Sequence, residues 1–232
     1  MDMKLRTIAI LGWLLLAAGC KQKCYREYEF QHPVSVYPVR EVYHIGDTLW
    51  VDMYFSDVFD AKVTDNQGRE FHESIQLKNF DFYTTKLQIV ELKTKALPAF
   101  SQEHRWDAFT SIHISGHTEW EGKEGMEYKL LYRNGIYFMK IGLVCNEVGT
   151  FLFSPLFYSD YYSPFDQLYE TFGQDITPEC EKEIITDIRF PVNQQPDGTY
   201  LTNDHLFEQY MDTTLENDLD RIRTASFTFV VK

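Results

Sequence analysis

Tyr128-Lys129-Leu130-Leu131-Tyr132-Arg133-Asn134-Gly135-Ile136-Tyr137-Phe138-Met139-Lys140-Ile141-Gly142-Leu143-Val144 is the stretch that decides the fold. Asn-Gly accepts the positive φ angles of a type I′ turn, and the twist of that turn matches two paired strands. Runs rich in Tyr, Ile, Leu and Phe flank it on both sides, so the segment reads as a β-hairpin of residues 128–132 with 136–141. Residues 151–157 form another apolar run after the turn Asn146-Glu147-Val148-Gly149, which extends the hairpin to an expected three-strand meander.

The same period recurs along the chain. Over residues 48–55, Leu49, Val51, Met53 and Phe55 fall on one face, with Thr48, Trp50, Asp52 and Tyr54 on the other, and Gly46-Asp47 supplies the turn before them. Residues 226–231 alternate again and suit a last strand locked into a sheet. Helical spacing is weaker. Leu206, Phe207, Tyr210, Met211, Leu215, Leu219 and Ile222 recur at threes and fours after a cap at Thr202 or Asn203, with a break at Thr213-Thr214. Pro164 opens a second short helix over 163–172, with Phe165, Leu168, Tyr169 and Phe172 on one side. These patterns predict a mainly β chain: an antiparallel β-sandwich, immunoglobulin-like or related, with a few short flanking helices.

The first residues follow a different logic. Lys4 and Arg6 precede an apolar run from Ile8 to Leu16, and the small residues Ala17-Ala18-Gly19 lead into Cys20. This is the order of an export signal. The run from Ile8 to Gly19 reaches roughly 18 Å as a helix, short of the hydrocarbon core of about 30 Å. The expected organisation is therefore a signal peptide at 1–19, a lipidated tether at 20–30 and a single β-rich domain at 31–232.

Ala17-Ala18-Gly19-Cys20 resembles the bacterial lipoprotein signal, with Ala17 standing where leucine is commoner. The resemblance implies that Cys20 becomes the mature N-terminus and carries thioether-linked diacylglycerol, usually with an amide-linked acyl chain. At about 0.8 kcal/mol per buried CH₂, two or more chains hold a protein on a membrane permanently. Lys21, not Asp, stands second, which implies transfer to the outer membrane, with the domain facing the periplasm or exposed at the surface. As a whole, the chain resembles the uncharacterised β-rich lipoproteins of Bacteroides-type bacteria: it has this signal, the nearby Cys24, an early strand Tyr43-His44-Ile45-Gly46-Asp47-Thr48-Leu49-Trp50-Val51, and a Phe-rich last strand. That resemblance transfers no functional residue except Cys20.

Charge narrows the partners. The chain carries −13, and removal of residues 1–19, with Lys4, Arg6 and Asp2, leaves −14. That balance argues against nucleic acid as a partner, because phosphate binding needs Lys and Arg to displace counterions. The balance also argues against adhesion to anionic lipid beyond the acyl anchor. Aromatic residues make up 16% of the chain, with 18 Phe and 15 Tyr, enough for a substantial core.

Export makes the remaining cysteines readable. With Cys20 taken by lipid, Cys24, Cys145 and Cys180 are an odd set in an oxidising compartment. One disulfide is expected, and Cys145 with Cys180 is favoured over a pairing of Cys24 with either; three free, buried thiols are the bland alternative. A loop of about 35 residues contributes roughly 3 to 4 kcal/mol on the chain-entropy model.

Catalytic patterns are missing from the sequence. It contains no G-x-S-x-G, no H-E-x-x-H and no phosphate-cradling glycine loop, and no cofactor is implied. His113-Ile114-Ser115-Gly116-His117 with Glu119 comes nearest to a metal site. On a strand, however, residues four apart lie about 13 Å from each other, so the histidines read as solvent-facing, with no metal. Asp65-Asn66-Gln67-Gly68 reads as a turn. For binding, Tyr158-Ser159-Asp160-Tyr161-Tyr162-Ser163-Pro164-Phe165-Asp166 mixes flat rings with directional acceptors, and Tyr158, Asp160, Tyr161 and Tyr162 are the ligand candidates. Two functions follow: a non-enzymatic, membrane-anchored envelope lipoprotein serving as a binding or accessory domain for a protein or glycan partner, or a glycan-binding or hydrolytic component of an envelope complex.

Overall fold

The computed structural model describes residues 23–78, 85–93, 103–157, 181–210 and 219–232. Among these, sixteen strands form three sheets. The four-stranded sheet runs in the order β15 (Glu181–Arg189), β1 (Lys23–Gln31), β5 (Val58–Asp65), β6 (Glu70–Gln76). The five-stranded sheet runs β12 (Leu131–Arg133), β13 (Ile136–Cys145), β4 (Thr48–Ser56), β2 (Val34–Tyr37), with β9 (Phe109–Ser115) beside β12 on the same edge of β13. The seven-stranded sheet runs β10 (His117–Gly122), β11 (Gly125–Lys129), β7 (Thr85–Glu91), β14 (Gly149–Phe157), β16 (Phe227–Val231), β3 (Val42–Tyr43), with β8 (Glu103–His104) on β7. The named strands pair antiparallel except for β1 with β15 and β16 with β3. Helices α1 (Asp204–Tyr210) and α2 (Leu219–Thr224) flank the seven-stranded sheet.

Binary patterning accounts for the layers. In β4 the residues Leu49, Val51 and Met53 are fully buried and Phe55 nearly so, while Tyr54 is 68% exposed. Antiparallel register then carries the same alternation into β13, where Tyr137, Met139, Ile141 and Leu143 point inward. Phe109 of β9 meets Phe151 at 5.0 Å and Phe229 at 6.0 Å, which joins the inner faces of the five- and seven-stranded sheets into a β-sandwich. Each such ring taken from water contributes about 1.5 to 3 kcal/mol. β14 differs, because Phe151, Leu152 and Phe153 are all buried. Phe151 and Phe153 join the sandwich core, whereas Leu152 packs outward with Val90, Leu92 and Phe207, backed by Tyr210 and Ile222. The helices thus form a third layer over β14.

Asn134 at φ 53° and Gly135 at φ 81° make the expected turn, joining β12 to β13. The strand expected at 128–132 is divided, however. Its first part belongs to β11 in the seven-stranded sheet and its second to β12 in the five-stranded sheet, with the chain crossing at the buried Leu130. The meander also differs from expectation. β14 leaves β13 and pairs with β7 and β16 across the sandwich. Its apolar run needs burial on both faces, which only a central, helix-covered strand supplies.

The early chain is strand as well. β1 starts at Lys23, inside the stretch read as a tether, and two residues separate Cys20 from it. Asn203 precedes α1 as expected, but its side chain works elsewhere: Nδ2 donates to the carbonyls of Arg40 and Thr228, fixing the approach of the helix to β16. The helix expected over 163–172 lies outside the described residues.

Candidate functional site

The outer face of the five-stranded sheet carries an ordered array of side chains. Register sets its rows. Leu131, Phe138 and Tyr54 stand side by side; one row on come Ser115, Lys140, Asp52 and Ser35; the next holds Ile112, Gly142, Trp50 and Tyr37. Successive rows on one face are about 6.7 Å apart. Two largely aromatic rows therefore flank a polar one at a spacing of roughly 13 Å.

Gly142 is the floor of this platform. A Cβ there would fall 2.9 Å from Trp50 Cζ3 and 3.0 Å from Thr48 Cγ2, so the indole lies across the bare backbone of β13. Lys140 Nζ sits 5.3 Å from the Trp50 ring centre and 5.1 Å from that of Tyr37, both within cation–π range. The ammonium donates to the Tyr37 hydroxyl, which donates in turn to Asp52 Oδ2 at 2.8 Å, and Nζ lies 3.7 Å from the same oxygen. Burial first, then the opposed contacts with Lys140 and Asp52, raises the Tyr37 pKa above its ordinary value. Its phenol stays protonated and keeps donating. The Lys140 charge is thereby compensated within the face, and the rings are held in place by neighbours.

A second feature is concave. A hollow of about 370 Å³ opens beside the junction of β4 and β5, lined by Phe55 and Phe59 and ringed by Glu29, Asp60, Lys62 and His72. Its rim charges pair locally: Lys62 with Glu70 at 2.7 Å, His72 with Asp60 at 3.2 Å, and Arg189 with Glu29 at 2.9 Å. Its size suits a small ligand, yet the rim holds its own counter-charges.

His113 and His117 part company at Gly116, whose φ of +101° carries the chain from β9 to β10. His113 stacks on Tyr128 at 6.0 Å, has Nδ1 3.0 Å from Thr118 Oγ1, and lies 3.8 Å from Glu121. Glu121 Oε1 accepts from Trp106 Nε1 at 2.9 Å and Ser111 Oγ at 2.6 Å. His117 faces Glu119 instead, at 3.7 Å. Among the described residues no group of three or more His, Cys, Asp and Glu side chains could hold a metal ion. Residues 65–69 form the expected turn: the Asp65 carboxylate accepts from the backbone N–H groups of Gln67 and Arg69 and from Arg69 Nε.

Cys145 is a free, fully buried thiol at the end of β13, and burial, with Asp47 second, pushes its pKa up to about 11. Cys180 lies outside the described residues, as do Cys20 and the aromatic candidates Tyr158, Asp160, Tyr161 and Tyr162. The platform was half visible in sequence, since Trp50, Asp52 and Tyr54 share the outward face of a regular alternation. Tyr37, Phe138 and Lys140 join them only through strand register, which no local pattern specifies. Compared with protein-family models, with curated proteins and with solved structures, the chain shows no significant match.

Proposed function

We propose that the protein is an outer-membrane lipoprotein, held by acyl chains on Cys20, whose sandwich is a non-enzymatic binding or accessory domain of the cell envelope. The observation that carries the reading is the platform, with Trp50 laid flat over Gly142 and Lys140 neutralised by Asp52 between two rows of rings. Flat rings interleaved with hydroxyl groups and a compensated charge suit a neutral ligand with apolar faces and many hydroxyls. A glycan chain of the envelope has that chemistry. A second reading, a glycan-binding component of an envelope complex with Tyr158, Asp160, Tyr161 and Tyr162 as contacts, draws on the same ring-and-hydroxyl chemistry.

A glycan array followed by calorimetry tests both readings. Neutral saccharides are expected to bind the wild type, and Trp50→Ala with Tyr54→Ala weakens them by about tenfold or more, as befits the loss of two stacking rings. Tyr161→Ala does the same only under the second reading. A wild type that binds no saccharide contradicts both.

A further inference from the structure

We propose that the hollow beside β4 and β5 is a subsite for the acetamido group of an N-acetylated sugar, which it reads through backbone atoms. The inference rests on the reading of the neighbouring platform as a glycan surface. The two features are continuous: Ser56, at the edge of the hollow, follows Tyr54 on the outer face of β4 by about 6.7 Å. A saccharide stacked on the Tyr54 row thus leads into the hollow.

The hollow exists because two strands part. The ladder of β1 with β5 ends at Glu29 opposite Lys62, although β1 continues to Gln31 and β5 already starts at Val58. Alternation along β1 decides which groups face the gap. His32 N donates to Arg189 O at 2.8 Å on the β15 side, so Glu27, Glu29 and Gln31 turn their N–H and C=O toward β5. Thr64 and Lys62 answer the first two, and Asp60 stands next in that series. No rung joins Gln31 to Asp60 among the described residues. A secondary amide, with one N–H and one C=O, is the group that completes such an interrupted ladder. Phe55 and Phe59 close the bottom of the gap from the core side, and His32 stacks against them at 4.5 and 5.4 Å, which holds both rings in place. An acetyl methyl group set on those rings leaves water for an apolar surface.

Charge selects a neutral occupant. Each charged group of the rim already has its partner: Lys62 with Glu70, Asp60 with His72, and Glu29 with Arg189. A free ammonium or carboxylate entering the hollow gives up hydration and finds no unpaired counter-charge there. A neutral amide meets no such cost. The rim side chains, with Gln31 and Ser56, then stand around the sugar ring as partners for its hydroxyl groups.

Calorimetry on the full chain carrying Cys20→Ser tests the subsite with two saccharides of equal length and linkage. Chitotetraose carries an acetamido group on every ring, and cellotetraose carries a hydroxyl in its place. Chitotetraose is expected to bind at least about tenfold more tightly, as befits two added hydrogen bonds and a buried methyl group. Equal affinities, a preference for cellotetraose, or binding confined to saccharides without acetamido groups overturns the subsite and leaves the platform reading intact. If no neutral saccharide binds, the platform reading fails and takes the subsite with it. Ser56→Trp sets a ring at the mouth of the hollow and should bring the ratio toward one; a folded variant that keeps the wild-type ratio shows that the amide is read elsewhere. Acetyl-tetraalanine amide, a capped peptide with the same amide group, should bind about tenfold more weakly than chitotetraose for want of hydroxyl contacts. Equal affinity for that peptide overturns the assignment to a sugar.

Discussion

His32 makes the stability of this domain depend on pH in a way that can be worked out in advance. The imidazole is 3% exposed and sits among rings, stacked on Phe55 at 4.5 Å, with Phe59 at 5.4 Å and Phe190 edge-on at 5.5 Å. Burial disfavours the imidazolium and lowers the pKa from 6.5 to about 3. Below pH 6.5 the unfolded chain takes up a proton that the folded chain refuses. The stabilisation is complete above the unfolded value and is lost as pH falls from 6.5 toward the folded value. Well inside that window the loss approaches about 1.4 kcal/mol per pH unit. From about pH 7.5 to about pH 5 it integrates to about 2 kcal/mol, whatever the folded value, provided it lies well below 5. The perturbation is His32→Phe, which keeps a ring in the cluster and removes the proton. Urea unfolding of the full chain carrying Cys20→Ser, repeated across that range, should show the wild type losing about 2 kcal/mol more than the variant. Parallel curves for the two proteins would refute the buried neutral imidazole.

Other consequences concern layers and faces. Leu152→Ala removes carbons sealed between β14 and Phe207, and transfer plus cavity terms predict a loss of about 3 to 4 kcal/mol in urea unfolding. Leu131→Ala, at 41% exposure on the open face, should cost under about 1 kcal/mol, and similar losses for the two would contradict the helical third layer. Gly142→Ala drives a methyl into the Trp50 ring and the Thr48 methyl, lifting the indole. It should cost about 1 kcal/mol, increase acrylamide quenching and weaken any saccharide that Trp50→Ala weakens. The Cys145 thiol, with a pKa near 11 and no exposed surface, should resist a disulfide reagent at neutral pH until denaturant is added. Labelling of native Cys145 at the rate of an unfolded peptide would rule out its burial.

Legibility in the sequence followed the range of the interactions involved. Period-two alternation named the inward residues of β4, because pleating alone decides which face a side chain takes. Asn134-Gly135 named its turn, since few other pairs accept two positive φ values in succession. Sheet membership was hidden. Residues 128–132 carry one continuous apolar pattern, yet the chain changes sheets at Leu130, and that crossing depends on a partner far from it in sequence, Leu87 for Met126, while Phe138 holds Leu131 across the local turn. Leu152 likewise looked like part of a strand that continued the meander. Its outward burial reflects a helix some fifty residues later. For the candidate site, the rings of β4 were readable, while the Lys140–Tyr37–Asp52 arrangement needed three strands in register before any of it existed.

Mass spectrometry of the N-terminal peptide, from protein isolated out of a bacterial envelope, tests the central claim most directly. The account predicts a chain that begins at Cys20 and carries a thioether-linked diacylglycerol, with the modification abolished by Cys20→Ser. An unmodified Cys20 within an uncleaved chain that still begins at Met1 would contradict it.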